Sequence, residues 1–152
     1  EHQVTIDAVH EALLGFSSYV DFEPEPSVVA LPNVSHLATS VEGRLSHPPA
    51  SVLELVASLH PTPAVCGRPR QAALAVIAEL EALDRDRYAG AVGWVDGRGN
   101  GQWAVAIRGA MIDGPVARVI GGNGIVGDSD PPTELTETRA KLQAMLGAIV
   151  RP

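Results

Sequence analysis

The stretch AVGWVDGRGNGQWAVAIRGAMIDGPVARVI, residues 91–120, decides the fold class. Ala91 to Val95 and residues 102–112 are rich in β-branched, aromatic and other apolar side chains, which suits extended backbone. Between them lies Asp96-Gly97-Arg98-Gly99-Asn100-Gly101, whose glycines and asparagine tolerate positive φ. That pattern predicts a β-hairpin with a generous loop. A second turn at Asp113-Gly114-Pro115 feeds residues 116–120, so three strands are expected to follow one another as an antiparallel meander.

After this region, Gly121-Gly122-Asn123-Gly124 breaks the strand, and a helix is predicted from Pro131 or Pro132 to about Val150. Before it, Pro69 opens a helix whose stripe Ala72, Val76, Leu80 and Leu83 carries it to Asp84. The loop His60-Pro61-Thr62-Pro63 precedes that helix, because each proline restricts the residue before it. A short helix is marked by Val52, Leu55 and Val56. Residues 27–31 and 34–45 read as extended stretches divided by Pro32-Asn33. Phe22-Glu23-Pro24-Glu25-Pro26 reads as loop. At the amino end, Ile6, Val9 and Leu13 recur at helical spacing over residues 2–14, with Gly15 as the stop. The fold class is therefore α+β, with one antiparallel sheet and helices packed against it.

With 152 residues, 45% of them hydrophobic, one compact unit with a sizeable core is expected. Neither an apolar run long enough to span a membrane nor a signal-peptide pattern occurs. The single cysteine, Cys66, forms no internal disulfide, in keeping with a reducing compartment such as the cytoplasm. Net charge is −7 and the basic residues are scattered, which argues against nucleic acid as a partner. The first residue is Glu1, so the chain is read as a piece of a longer protein.

Ten of the eleven basic residues are arginine, leaving Lys141 as the only lysine. On the final helix Glu134, Glu137 and Lys141 are spaced by three and then four residues, which puts them on one face. Leu135, Leu142, Leu146 and Ile149 define the apolar face, about a quarter-turn away, so the charged cluster is expected at the edge of the core. Taken alone, Glu137 and Lys141 make an ordinary helix ion pair worth a few tenths of a kcal/mol. Two carboxylates on one face also suit a hard cation such as magnesium, and a neighbouring lysine suits an anionic ligand. Alone, Arg108 reads as an exposed strand residue, Tyr88 as a core-edge aromatic and the glycines as a bulge. His60 and Cys66 have no orienting partner that would make them a base and a nucleophile.

The words around the cluster change its meaning. Gly122-Asn123-Gly124-Ile125-Val126, Ser129-Asp130-Pro131, Glu134, Glu137-Thr138, Lys141 and Met145-Leu146 resemble the closing signature of the chorismate-binding enzymes. That family includes isochorismate, salicylate, anthranilate and aminodeoxychorismate synthases. The resemblance extends backward in order through Ile107-Arg108, Tyr88-Ala89-Gly90-Ala91-Val92-Gly93-Trp94, His60-Pro61-Thr62-Pro63-Ala64, Ser35-His36-Leu37 and Glu1-His2. It covers residues 1–152 as the carboxy-terminal portion of a single catalytic domain, part of a larger α/β sandwich like that of anthranilate synthase component I.

The resemblance implies chorismate as the small-molecule substrate. It implies that Glu137 and Glu1 coordinate magnesium, with Glu134 beside them through water, and that the metal neutralises the ring carboxylate of chorismate. Lys141 would support the same region. Arg108, Tyr88 and the backbone at Gly122 and Gly124 would grip the enolpyruvyl carboxylate, and His36 would lie near the substrate. The physics agrees: a guanidinium binds a carboxylate through two parallel hydrogen bonds, and glycines let backbone amides approach an anion.

The wording of residues 60–64 resembles the isochorismate branch, whereas salicylate synthases generally carry threonine where Ala64 stands. The implied activity is isomerisation of chorismate to isochorismate, for menaquinone or a salicylate-based siderophore. The family's general base and acid are a lysine and a glutamate that precede Glu1, so this chain alone is expected to be inactive. It is also expected to self-associate through surfaces that the missing half would cover. Two alternatives stand beside this reading: a salicylate synthase of the same family, and a non-catalytic binding module on the same scaffold.

Overall fold

The computed structural model describes residues 2–30 and 35–150. Helix α1 (His2–Leu14) leads into strand β1 (Ser17–Phe22), followed by β2 (Ser27–Ala30), β3 (Ser35–Ala38) and β4 (Val41–Leu45). Helices α2 (Val52–Leu59) and α3 (Arg70–Leu80) precede β5 (Ala91–Val95), β6 (Gly101–Val105), β7 (Ala110–Asp113) and β8 (Val116–Val119), and α4 (Pro131–Val150) closes the series. The α+β class is as expected.

The strands differ from expectation in three places. β1 falls in a segment with no predicted element, and it pairs antiparallel with β4 through a bulge between Ser17 and Tyr19. Gly43 sits against that bulge, where a Cβ would come within 2.9 Å of the Tyr19 carbonyl oxygen, so a side chain there would disrupt the pairing. Residues 34–45 do not form one strand: β3 pairs with β2, whereas β4 pairs with β1. At the crossover between β3 and β4 the Glu23 carboxylate accepts from Ser40 N at 3.0 Å.

Residues 102–112 are likewise interrupted, because Arg108 adopts φ +56°, a left-handed conformation that a regular strand cannot contain. The predicted meander is therefore two separate hairpins, β5–β6 and β7–β8, and the described strands form four two-stranded antiparallel ladders instead of one sheet.

The helices begin where local chemistry starts them. Ser51 and Glu54 form a reciprocal capping box at α2, and Val52 N donates to the Gly99 carbonyl at 2.9 Å, tying the helix to the β5–β6 loop. Asp130 accepts from Thr133 N at 3.1 Å and Thr133 Oγ1 at 2.7 Å at the start of α4, which holds its carboxyl below the ordinary aspartate range. α3 ends at Leu80, short of the expected Asp84, where Glu81 takes up extended backbone. α1 packs against α2 and β1, and α4 rests against β8. No helix among the described residues is long and apolar enough to cross a membrane.

The expected core is sparse. Among the described residues only Ile6 (9% exposed) and Ala89 (7%) are buried apolar side chains, while Val28, Leu80, Trp94 and Ile112 lie on the surface. For a chain this hydrophobic, so much exposed apolar surface departs from the usual single-domain pattern.

Candidate functional site

Four loops and α4 converge on one cavity of about 510 Å³, a size within the range of about 300–1,000 Å³ usual for small-molecule sites. The interruption at Arg108 is what turns its side chain toward this place. Backbone strain of this kind costs on the order of 1–3 kcal/mol and clusters at ligand sites. Arg108 Nη1 donates to the Lys141 carbonyl at 3.4 Å, which links the loop between β6 and β7 to the middle of α4.

Tyr88 enters from the turn before β5, and the run after β8 brings Gly122 and Gly124 to the same wall. A Cβ on Gly122 would lie 3.4 Å from the Tyr88 hydroxyl, so the tyrosine and the glycine backbone are close neighbours. Ala64, from the proline-rich loop, and His36, from β3, also line it. Glu137 and Lys141 project from α4. Eight of the ten predicted site residues thus line a single cavity: His36, Ala64, Tyr88, Arg108, Gly122, Gly124, Glu137 and Lys141. Glu134 stands just outside it, and Glu1 lies outside the described residues.

The charged groups form a connected network. Lys141 Nζ is 2.5 Å from Glu137 Oε1 and donates to Asn123 Oδ1 at 2.6 Å and to the Gly122 carbonyl at 3.4 Å. Asn123 Nδ2 in turn donates to Glu134 Oε2 at 2.8 Å and to the Glu134 carbonyl at 2.6 Å. Both ends of the Asn123 amide are therefore engaged, and the side chain fixes Lys141 relative to Glu134 across the glycine run. The Lys141 side chain is 23% exposed and that of Glu137 53%, so the lysine is sheltered while its carboxylate partner stays open to solvent and to screening.

In the sequence Asn123 reads as part of a strand break and of the family's closing words, with no role of its own. Its neighbours are glycines, which suggests turn chemistry and hides the bridging role; the signal available was an amide that could span the charged face of the next helix. Ile107 and Met145, which belong to the family words, and Ile120, which reads only as a strand residue, also line the cavity as apolar residues. Among the described residues, no three His, Cys, Asp or Glu side chains gather as a ready-made metal cluster. The site is thus a mixed pocket, with a guanidinium and an ammonium for anions and a carboxylate for a cation.

The family model described as chorismate binding enzyme matches residues 1–150. The vibriobactin-specific isochorismate synthase of Vibrio cholerae is 41% identical over 97% of this chain and 38% of its own length. The crystal structure of DhbC from Bacillus anthracis superposes with a TM-score of 0.95 at 41% identity, over 99% of this chain and 40% of that one. MenF, the menaquinone-specific isochorismate synthase from Escherichia coli, superposes with a TM-score of 0.82 at 32% identity, over 95% of this chain and 33% of that one. The chain therefore spans between about a third and two-fifths of the length of the curated relatives it matches. Matched over nearly all its residues in sequence and in structure, the chain belongs to the chorismate-binding enzyme family.

Proposed function

We propose that this chain is the carboxy-terminal portion of the catalytic domain of an isochorismate synthase acting in the cytoplasm. The observation that carries this reading is one cavity in which Arg108, Lys141 and Glu137 meet the Gly122–Gly124 backbone. Such a site offers two cations to a dianionic substrate and one carboxylate to a metal. Arg108 grips the enolpyruvyl carboxylate of chorismate through its guanidinium fork, aided by the Tyr88 hydroxyl and the glycine backbone. Lys141, held by Asn123 and Glu137, faces the ring carboxylate.

Magnesium is the metal this donor set suits, since it takes carboxylate oxygens and keeps several waters. Glu137 is placed to hold it directly. Glu134, one turn earlier on α4 and tethered by Asn123, would act through water. Magnesium held there would neutralise charge on the ring carboxylate.

The reaction adds water at C2, moves the ring double bonds and expels the C4 hydroxyl. It needs a base for the incoming water and an acid for the leaving oxygen. In this reading both come from the rest of the protein, so the chain by itself turns nothing over. The exposed apolar faces suit the same account, since the longer protein would cover them and the chain alone would self-associate.

The test is to incubate the full-length protein with chorismate and magnesium and to resolve isochorismate from salicylate by chromatography. Isochorismate as the main product is expected. Salicylate with pyruvate as the main products would overturn the branch assignment, and absence of any turnover would favour a non-catalytic module.

A further inference from the structure

We infer that Arg85 is a positioning residue of the cavity, clamping the Ala64–Val65 wall and the Tyr88 wall into a fixed separation while standing outside the cavity itself. The inference rests on the reading of the cavity as the chorismate site. Arg85 uses its guanidinium on three sides. Nε and Nη2 form a two-pronged pair with Glu81 Oε2 at 2.7 Å and Oε1 at 2.5 Å. Nη1 donates to the Val65 carbonyl at 2.8 Å. The flat of the group lies 5.9 Å from the centre of the Tyr88 ring, within cation–π range.

Each contact has a consequence for the cavity. The bond to Val65 holds that carbonyl toward Arg85, which fixes the Val65–Cys66 peptide just after Ala64. The same turn is closed from within by Val65 N and Cys66 N, which both donate to the Thr62 carbonyl at 3.1 Å. The contact with Tyr88 holds the ring whose hydroxyl neighbours Gly122. Glu81 anchors the guanidinium from the end of α3, and this pairing holds its carboxyl below the ordinary glutamate range. Both partners are about one-third exposed or less, so the geometry is sheltered more than that of a surface pair. Lysine could not reproduce the set, because an ammonium lacks the planar fork that meets carboxylate and carbonyl together.

The experiment uses the full-length protein with Arg85→Met, Arg85→Lys and Glu81→Gln. Hydrogen exchange read by mass spectrometry over residues 60–67 and 85–90 reports the clamp without substrate, and steady-state kinetics with chorismate report its effect on binding. Arg85→Met should speed exchange in both peptides about tenfold and raise KM about tenfold with kcat within about threefold, the split expected when uniform binding is lost. Arg85→Lys and Glu81→Gln should fall between it and the unaltered protein, and they carry the test if Arg85→Met does not fold. Unchanged exchange in all three variants overturns the clamp. Faster exchange with unchanged KM overturns its role in the site. An unaltered protein that neither binds nor turns over chorismate counts against the site reading and leaves the exchange result to decide the clamp.

Discussion

The two long faces of α4 are turned opposite to their chemistry. Glu134, Thr138, Lys141 and Met145 form a half-buried stripe that faces the glycine run and the cavity, while Leu135 (50% exposed), Leu146 and Ile149 (40%) face outward. Leu142, which lies against Gly121, and Met145 keep the apolar pattern on the inner side. An amphipathic helix ordinarily buries its apolar side against its own domain. Here the inner face carries charged groups because it borders a cavity, and the outer apolar residues Leu135, Leu146 and Ile149 are left 37–50% exposed. A hydrophobic stripe tells which side of a helix will be covered. It does not tell what covers it.

Replacing one residue on the outer face gives the largest expected effect. In the full-length protein, Leu146→Ala should lower stability by about 2–4 kcal/mol in chemical denaturation, the cost of a truncated core leucine. In this chain alone, where Leu146 is 37% exposed, the same change should cost about 1 kcal/mol, clearly less than in the full-length protein, and light scattering should find the chain self-associated. Equal effects in the two contexts, with the chain monomeric, would mean that the outer face is an ordinary solvent face.

A smaller effect is expected from the inner face. Asn123→Ala removes the bridge between Lys141 and Glu134, and should cost about 1–2 kcal/mol for the hydrogen bonds left unmade. Titration calorimetry on the full-length protein should also show magnesium affinity reduced by roughly tenfold, the low end for loss of a group that orients a metal ligand. An unchanged affinity would separate Asn123 from the metal and leave it a structural bridge only.

The spacing of Glu134, Glu137 and Lys141 makes one polar face of α4 legible, and the ordered words upstream draw together residues scattered over β3, four loops and a helix, eight of which line one cavity. The break in the meander was not, because a left-handed arginine leaves no compositional mark of the kind that glycine leaves. β1 was missed because Ser17, Ser18 and Asp21 dilute its apolar residues, although Tyr19, Val20 and Phe22 suit a strand. Periodicity gave α4 its two faces correctly but assigned them to the wrong neighbours, since burial depends on what surrounds a helix and periodicity on the helix alone. The roles of Asn123 and Arg85 are legible only in three dimensions, where the amide or guanidinium reaches groups between 4 and 20 positions away.

The central claim, that the polar inner face of α4 receives chorismate, is tested most directly by chorismate titration of the full-length protein in magnesium, with and without Lys141→Met. A charged hydrogen-bonding group in such a site contributes about 1.5–3 kcal/mol, so the variant should bind at least about tenfold more weakly, with the expressed protein still folded by circular dichroism. Equal affinity in the two proteins would contradict the account.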